Sequence, residues 1–173
     1  MKAPHDVNHP SAWIRRFTGL IAPGGHVLDV ACGKGRNTRH LLEKGLRVSA
    51  LDIDMSGLSD LHGAPLLTQI QADLESATWP LSGQVYDAVI VTNYLHRPIL
   101  DDIVNSVGAS GLLLYETFAV GNEAFGRPRN PDYLLRRGEL LTRVAGRMTV
   151  LAYEDLTVDD PAPAAIQRIC ARA

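Results

Sequence analysis

The chain has 173 residues, of which 46% are hydrophobic and 21% charged, with a formal net charge of −2. Those values suit one domain around one core. They also exclude a long-range basic field, so neither nucleic acid nor a membrane is expected as a partner. Two cysteines, Cys32 and Cys170, are too few for a disulfide scaffold, the start of the chain has no apolar signal-like region, and no apolar run reaches the length of a membrane span, so a cytoplasmic protein with reduced thiols is expected.

Residues 1–10 carry two prolines and two histidines and read as a flexible lead-in; residues 11–173 read as a single domain. Ser11 is placed as an N-cap, and Trp13, Ile14, Phe17, Leu20 and Ile21 recur at helical spacing until Pro23-Gly24-Gly25. His26 to Ala31 is an apolar burst suited to a buried strand, and Gly33 to Gly35 form a turn. Arg36 to Lys44 predict a helix closed by Gly45. Arg47 to Ile53 is a second strand, followed by a short helix around Leu58 and Leu61. Leu66 to Ala72 and Val85 to Thr92 give strands three and four. Pro98 suits the first turn of a helix that carries Ile99, Leu100, Ile103, Val104 and Val107 inward and ends at Gly108. Gly111 to Phe118 is strand five. After a loop from Ala119 to Pro131, a helix is predicted around Glu139 to Ala145. Met148–Leu156 and Ala164–Arg172 then form an antiparallel hairpin. Strands alternating with helices argue for right-handed βαβ crossovers and a doubly wound, mostly parallel sheet.

Four stretches carry chemistry. In Val27–Gly35, the glycines let the backbone turn sharply and approach a ligand, and the following helix start favours a carboxylate. Asp29, near the end of an apolar strand, is costly unless partnered. A pyrophosphate cradle would be repelled by it, whereas a ligand with an ammonium group and a sulfonium suits it; the alternative is an acid that only caps the turn. Asp52 stands at the tip of the second strand, 19 positions after Gly33, where an acid can accept from both ribose hydroxyls. A nicotinamide dinucleotide would use the same acid, and a purely helix-capping role also remains open. Asp73, with Leu74 beside it, can meet the amine and ring of adenine or be a solvated loop acid. Tyr86–His96 ends in polar and aromatic residues at the edge where open α/β sheets bind ligands.

With these stretches in this order, the chain resembles the small class I S-adenosylmethionine-dependent methyltransferases, within them the bacterial tellurite-resistance methyltransferase-domain family. Pro10–Ile14 and Gly126–Leu135 extend the resemblance, which runs from about Ser11 to the end. It implies a Rossmann-like α/β fold, S-adenosylmethionine as cofactor, and a methyl acceptor. It places Asp29, Ala31, Gly33 and Gly35 at the methionine end. Asp52 and Ile53 go to ribose and adenine, Asp73 and Leu74 to the adenine edge, and Asn93 beside the methionine part. The chain departs from that family in its terminal hairpin. There it has Glu154-Asp155 and no histidine after His96, where the tellurite enzyme has a His-Arg pair, so tellurite chemistry by that mechanism is not carried over.

Acceptor candidates flank strands four and five. His96 is the candidate base, being the side chain type that titrates nearest neutrality; a helix-start cap is the alternative. Glu116 is the other candidate, or else pairs with Arg127 or Arg129. Tyr94, Arg127 and Arg129 are candidate substrate residues; the two arginines either clamp an anion or fasten their loop. Trp13 either closes over the cofactor or is helix core. No metal-ligand spacing occurs among the histidines. Short loops favour a small-molecule acceptor, or a larger partner recognised by another subunit. A non-catalytic S-adenosylmethionine-binding module and a nicotinamide-dependent oxidoreductase are the competing readings, and oligomeric state has no handle in the sequence.

Overall fold

A computed structural model describes residues 9–76 and 78–173. All but two residues of the expected lead-in lie outside the described residues. One seven-stranded sheet organises them, in the order β3-β2-β1-β4-β5-β7-β6. Strands β1 (His26–Val30), β2 (Arg47–Asp52), β3 (Leu67–Gln71), β4 (Tyr86–Thr92) and β5 (Val107–Phe118) run parallel. β6 (Thr149–Val158) and β7 (Ala164–Arg172) form the antiparallel hairpin that closes the far edge, as the sequence predicts.

The middle strands read as continuous apolar runs because both of their faces are covered. Leu28, Val30, Val89, Val91, Leu113 and Tyr115 point into a core shared with α3 (Leu100–Asn105) and α4 (Glu139–Val144). Val27, Ala50, Ala88, Ile90, Leu112 and Leu114 point the other way, onto α1 (Ala12–Phe17) and α2 (Arg36–Glu43). Each fully buried valine, leucine or isoleucine among them contributes about 1.5–3 kcal/mol. Because the chain winds outward from β1 through β2 to β3 and then returns to β4 on β1's other side, the order reverses between β1 and β4. In an open α/β sheet that reversal opens a crevice at the strands' carboxyl ends.

Several boundaries differ from expectation. The helix expected through Val107 stops at Asn105, and Val107 instead begins β5, opposite Tyr86. The register then jumps to Ala88 opposite Leu112, a bulge that consumes the intervening residues. Glycine is needed there: a Cβ on Gly108 or Gly111 would sit 3.1 or 3.0 Å from the Tyr86 carbonyl oxygen. The short helix around Leu58 and Leu61 is a 3₁₀ stretch, Ser56–Leu61, and the 119–131 loop holds another at Asn122–Ala124. Among the described residues, no helix is long and apolar enough to cross a membrane.

Candidate functional site

The strand tips between β1 and β4 are level because the ladder continues past them. Cys32 N–H donates to Leu51 O, Ala72 N–H to Asp52 O and Asn93 N–H to Glu116 O, at 3.1, 3.0 and 2.9 Å. At the reversal, two non-glycine residues sit in left-handed backbone: Ala31 at φ +53° and Asn93 at +56°. Such strain costs of order 1–3 kcal/mol per residue and gathers at functional sites. Gly33 (φ +55°) would place a Cβ against nothing within 4 Å, so the outer face of the β1–α2 turn is open. Its other side is packed: a Cβ on Gly57 would meet Gly33 O at 2.7 Å, and one on Gly35 would meet Leu58 Cδ2 at 2.0 Å.

Three acids cluster here at different depths. Asp29 is 1% exposed and accepts from Thr38 Oγ1 at 2.6 Å. Burial pushes its pKa up to about 7, against the opposing pull of that hydrogen bond and of Arg36, with Asp52 adding to the rise. It therefore lies beneath the crevice rather than facing it. Asp52, at the tip of β2, accepts from Gly33 N–H at 2.8 Å and Asp54 N–H at 3.1 Å. Asp73 accepts from Ser76 Oγ (2.5 Å) and Glu75 N–H (2.9 Å), which hold its pKa below the usual carboxylate range. Ile53 is 58% exposed beside Asp52, whereas Leu74 is only 6% exposed and belongs to the core. Tyr94 is close to Asp52 and Asp73. Its hydroxyl is buried without a hydrogen-bond partner among the described residues. Desolvation, then the charges of Glu75, Asp73 and Asp52, raise its pKa.

His96 is half-buried and close enough to Asp73 for its charge to act on that carboxyl. Glu116 pairs with neither Arg127 nor Arg129. It accepts from Ser11 Oγ at 2.7 Å and from Arg168 at 3.0 Å, and Arg168 also binds Glu154. The three lie abreast on β5, β7 and β6. Trp13 is not at the crevice. It is 1% exposed, donates its indole N–H to Ile169 O at 3.0 Å, and lies under the Arg168 guanidinium at 4.7 Å. Of the two readings of Trp13, closing over the cofactor or helix core, the structure has the second.

Sequence reasoning missed Asn37. Its side chain accepts from Ser11 N–H (2.9 Å) and donates to Thr92 Oγ1 (2.9 Å), tying the start of α1 across α2 to the tip of β4. A polar residue in the first turn of the helix that follows the glycine turn was the available signal. Thr38 below Asp29 carries the same signal.

Beyond β5, a cleft of about 630 Å³ is lined by Phe118, Arg127, Pro128, Arg129, Asn130 and Tyr133. Among the described residues, no group of three or more His, Cys, Asp or Glu side chains is arranged to hold a metal.

Residues 27–108 match the family model described as a methyltransferase domain. No curated protein sequence matches the chain. Among solved structures, TehB from Haemophilus influenzae superposes with a TM-score of 0.74 at 18% identity, covering 92% of this chain and 60% of that one. The chain therefore spans less than two thirds of that protein. An S-adenosylmethionine-dependent methyltransferase from Mesorhizobium loti gives 0.69 at 16% identity, covering 94% of this chain and 99% of that one. The 1,6-didemethyltoxoflavin-N1-methyltransferase of Burkholderia thailandensis, solved with S-adenosylhomocysteine bound, gives 0.67 at 18%, covering 93% and 78%. The fold is the Rossmann-like α/β fold of these methyltransferases, and the chain resembles TehB within it.

Proposed function

We propose that this chain, a methyltransferase domain on the class I fold, takes S-adenosylmethionine as its cofactor and methylates a small-molecule acceptor. The observation that carries the reading is the open Gly33 turn set directly against the Asp52 carboxylate at the point where the sheet reverses.

The residues present fit that cofactor. Gly33 leaves room for a ligand to approach the backbone, and the orphaned Tyr94 hydroxyl sits among Asp52, Asp73 and Glu75, a negative setting complementary to a cation. When bound, S-adenosylmethionine supplies a methyl group activated by its sulfonium. The Asp52 carboxylate would accept from the ribose hydroxyls, and the exposed side chain of Ile53 would pack on adenine. Asp73 would accept from the adenine amine, with the buried Leu74 beside it. The Ala31–Gly35 turn and Asn93 would line the methionine end. Asp29 holds α2 through Thr38 and sets the turn's shape from below.

Acceptor and methyl need alignment and a dry setting more than they need a base. Where the acceptor arrives protonated, His96 is the candidate to take the proton. Glu116, held by Ser11 and Arg168, is better suited to position the N-terminal segment over the strand tips.

The test is a thermal melt with S-adenosylhomocysteine and, separately, NADH. At a ligand concentration of 100 times Kd, binding adds about 2.7 kcal/mol, which at ~2–4 °C per kcal/mol is a rise of roughly 5–10 °C. Asp52→Ala removes the rise, and NADH gives none. No rise at millimolar S-adenosylhomocysteine would overturn the proposal. Cofactor binding without transfer to any acceptor in a broad panel would turn it into a binding module.

A further inference from the structure

We infer that the cleft beyond β5 is the acceptor site and that it takes an aromatic carboxylic acid, with Arg127 as the countercharge. The inference rests on the methyltransferase reading above and names the class of its acceptor.

The cleft's lining is specific in two ways. It combines rings and a proline (Phe118, Tyr133, Pro128) with two guanidiniums, and no carboxylate lines it. In a chain with a formal charge of −2, two arginines flanking Pro128 on one cleft without an acid are a local reversal of sign. That arrangement is stable against mutual repulsion when an anion is drawn in. Flat apolar walls beside a guanidinium suit a planar anion, because the fork donates two parallel hydrogen bonds to a carboxylate while the ring stacks.

The alternative is that these arginines merely fasten their loop, and other groups already do so. Arg97 donates to the carbonyls of Asp132 and Leu134, both at 2.8 Å, and forms a two-pronged pair with Glu139. Asn122 donates to Pro128 O at 3.1 Å and accepts from Ala165 N–H at 3.3 Å. Asn130 Oδ1 accepts from Asp132 N–H at 3.0 Å. Arg129 makes one long bond, 3.3 Å, to Gly126 O within its own turn. Arg127 makes no hydrogen bond or ion pair among the described residues and is exposed. The loop is held, and Arg127 is left over.

The cleft also has the right neighbours. Phe118 ends β5, two residues past Glu116, which is opposite Thr92 at the tip of β4. Tyr133 on the cleft's wall is in the neighbourhood of Tyr94, as are Asp52 and Asp73. An acid anchored at Arg127 would sit in a cleft that shares Phe118, the last residue of β5, with the carboxyl edge of the sheet.

The experiment titrates the protein, saturated with S-adenosylhomocysteine, with hydroxybenzoates and hydroxynaphthoates and with the matching carboxamides, by calorimetry. The carboxylates are expected to bind at least tenfold more tightly than their amides, with affinity falling as salt rises. Arg127→Gln should erase that preference, Arg127→Lys should retain part of it, and S-adenosylhomocysteine affinity should stay unchanged in both. Equal binding of acid and amide, or an acid preference that survives Arg127→Gln, overturns the inference while leaving the cofactor reading standing. Failure of the wild-type protein to bind S-adenosylhomocysteine overturns both.

Discussion

Replacing Asp29 with asparagine should flatten part of the protein's pH–stability profile. The carboxyl is 1% exposed and its pKa stands at about 7, against an ordinary value of 3.8. A folded-state pKa above the unfolded one means that the folded protein keeps a proton which the unfolded chain releases. Stability from this group is therefore complete below about pH 4, declines as pH rises, and is gone above about pH 7. At ~1.4 kcal/mol for each pH unit of that window, the wild type should lose up to about 4 kcal/mol that Asp29→Asn does not lose. Asparagine keeps an oxygen for Thr38 Oγ1, so the fold is retained. His26 and His40 titrate low because they are desolvated, so their contribution is lost as pH falls, in the opposite direction. They are common to both proteins and cancel in the difference. The assay is urea denaturation of both proteins at half-unit steps from pH 4.5 to 8. The expected result is a variant that gains on the wild type steadily up to pH 7 and then runs parallel. A difference independent of pH would refute a buried, proton-holding Asp29.

Trp13→Ala should cost about 3–5 kcal/mol through the cavity it leaves. At temperatures where the variant is folded, its affinity for S-adenosylhomocysteine should match the wild type; a selective tenfold loss of affinity would restore Trp13 to the cofactor site. Arg97→Ala leaves Glu139, whose side chain is 11% exposed, without its partner and should cost about 3–5 kcal/mol. Limited proteolysis should then cut first between residues 121 and 135; unchanged cleavage would count against Arg97 as the loop's anchor. Burial acts to raise the Glu139 pKa, but Arg97 and the Arg136 N–H outweigh it and hold the carboxyl low. Stability from Glu139 is therefore present above the unfolded carboxyl pKa and lost as pH falls through the folded value, a loss that acid titration of Glu139→Gln should lack.

The parallel core was legible because its strands are short apolar runs punctuated by glycine, a signal that needs no knowledge of partners. The terminal hairpin was legible for a similar reason, with prolines and acids marking its turn. Asp52 and Gly33 were recognisable by spacing, since a strand–turn–helix unit fixes both positions. Side chains whose partners lie far along the chain were not. The Glu116 carboxylate is paired by an antiparallel register that brings Arg168 and Glu154 alongside, and Ser11 reaches it from 105 residues away. Val107 reads as the last apolar position of a helix, yet the bulge opposite Tyr86 draws it into β5. Asp29 stands in the sequence as an acid at the strand's end, but alternation along β1 turns it toward α2 and into the core.

A crystal structure with S-adenosylhomocysteine bound tests the central claim most directly. The account predicts ribose hydroxyls within hydrogen-bond distance of the Asp52 carboxylate, adenine against Ile53, and the sulfur turned toward the cleft that holds Arg127. Ligand density anywhere else on the protein, or a ribose that leaves Asp52 untouched, would contradict it.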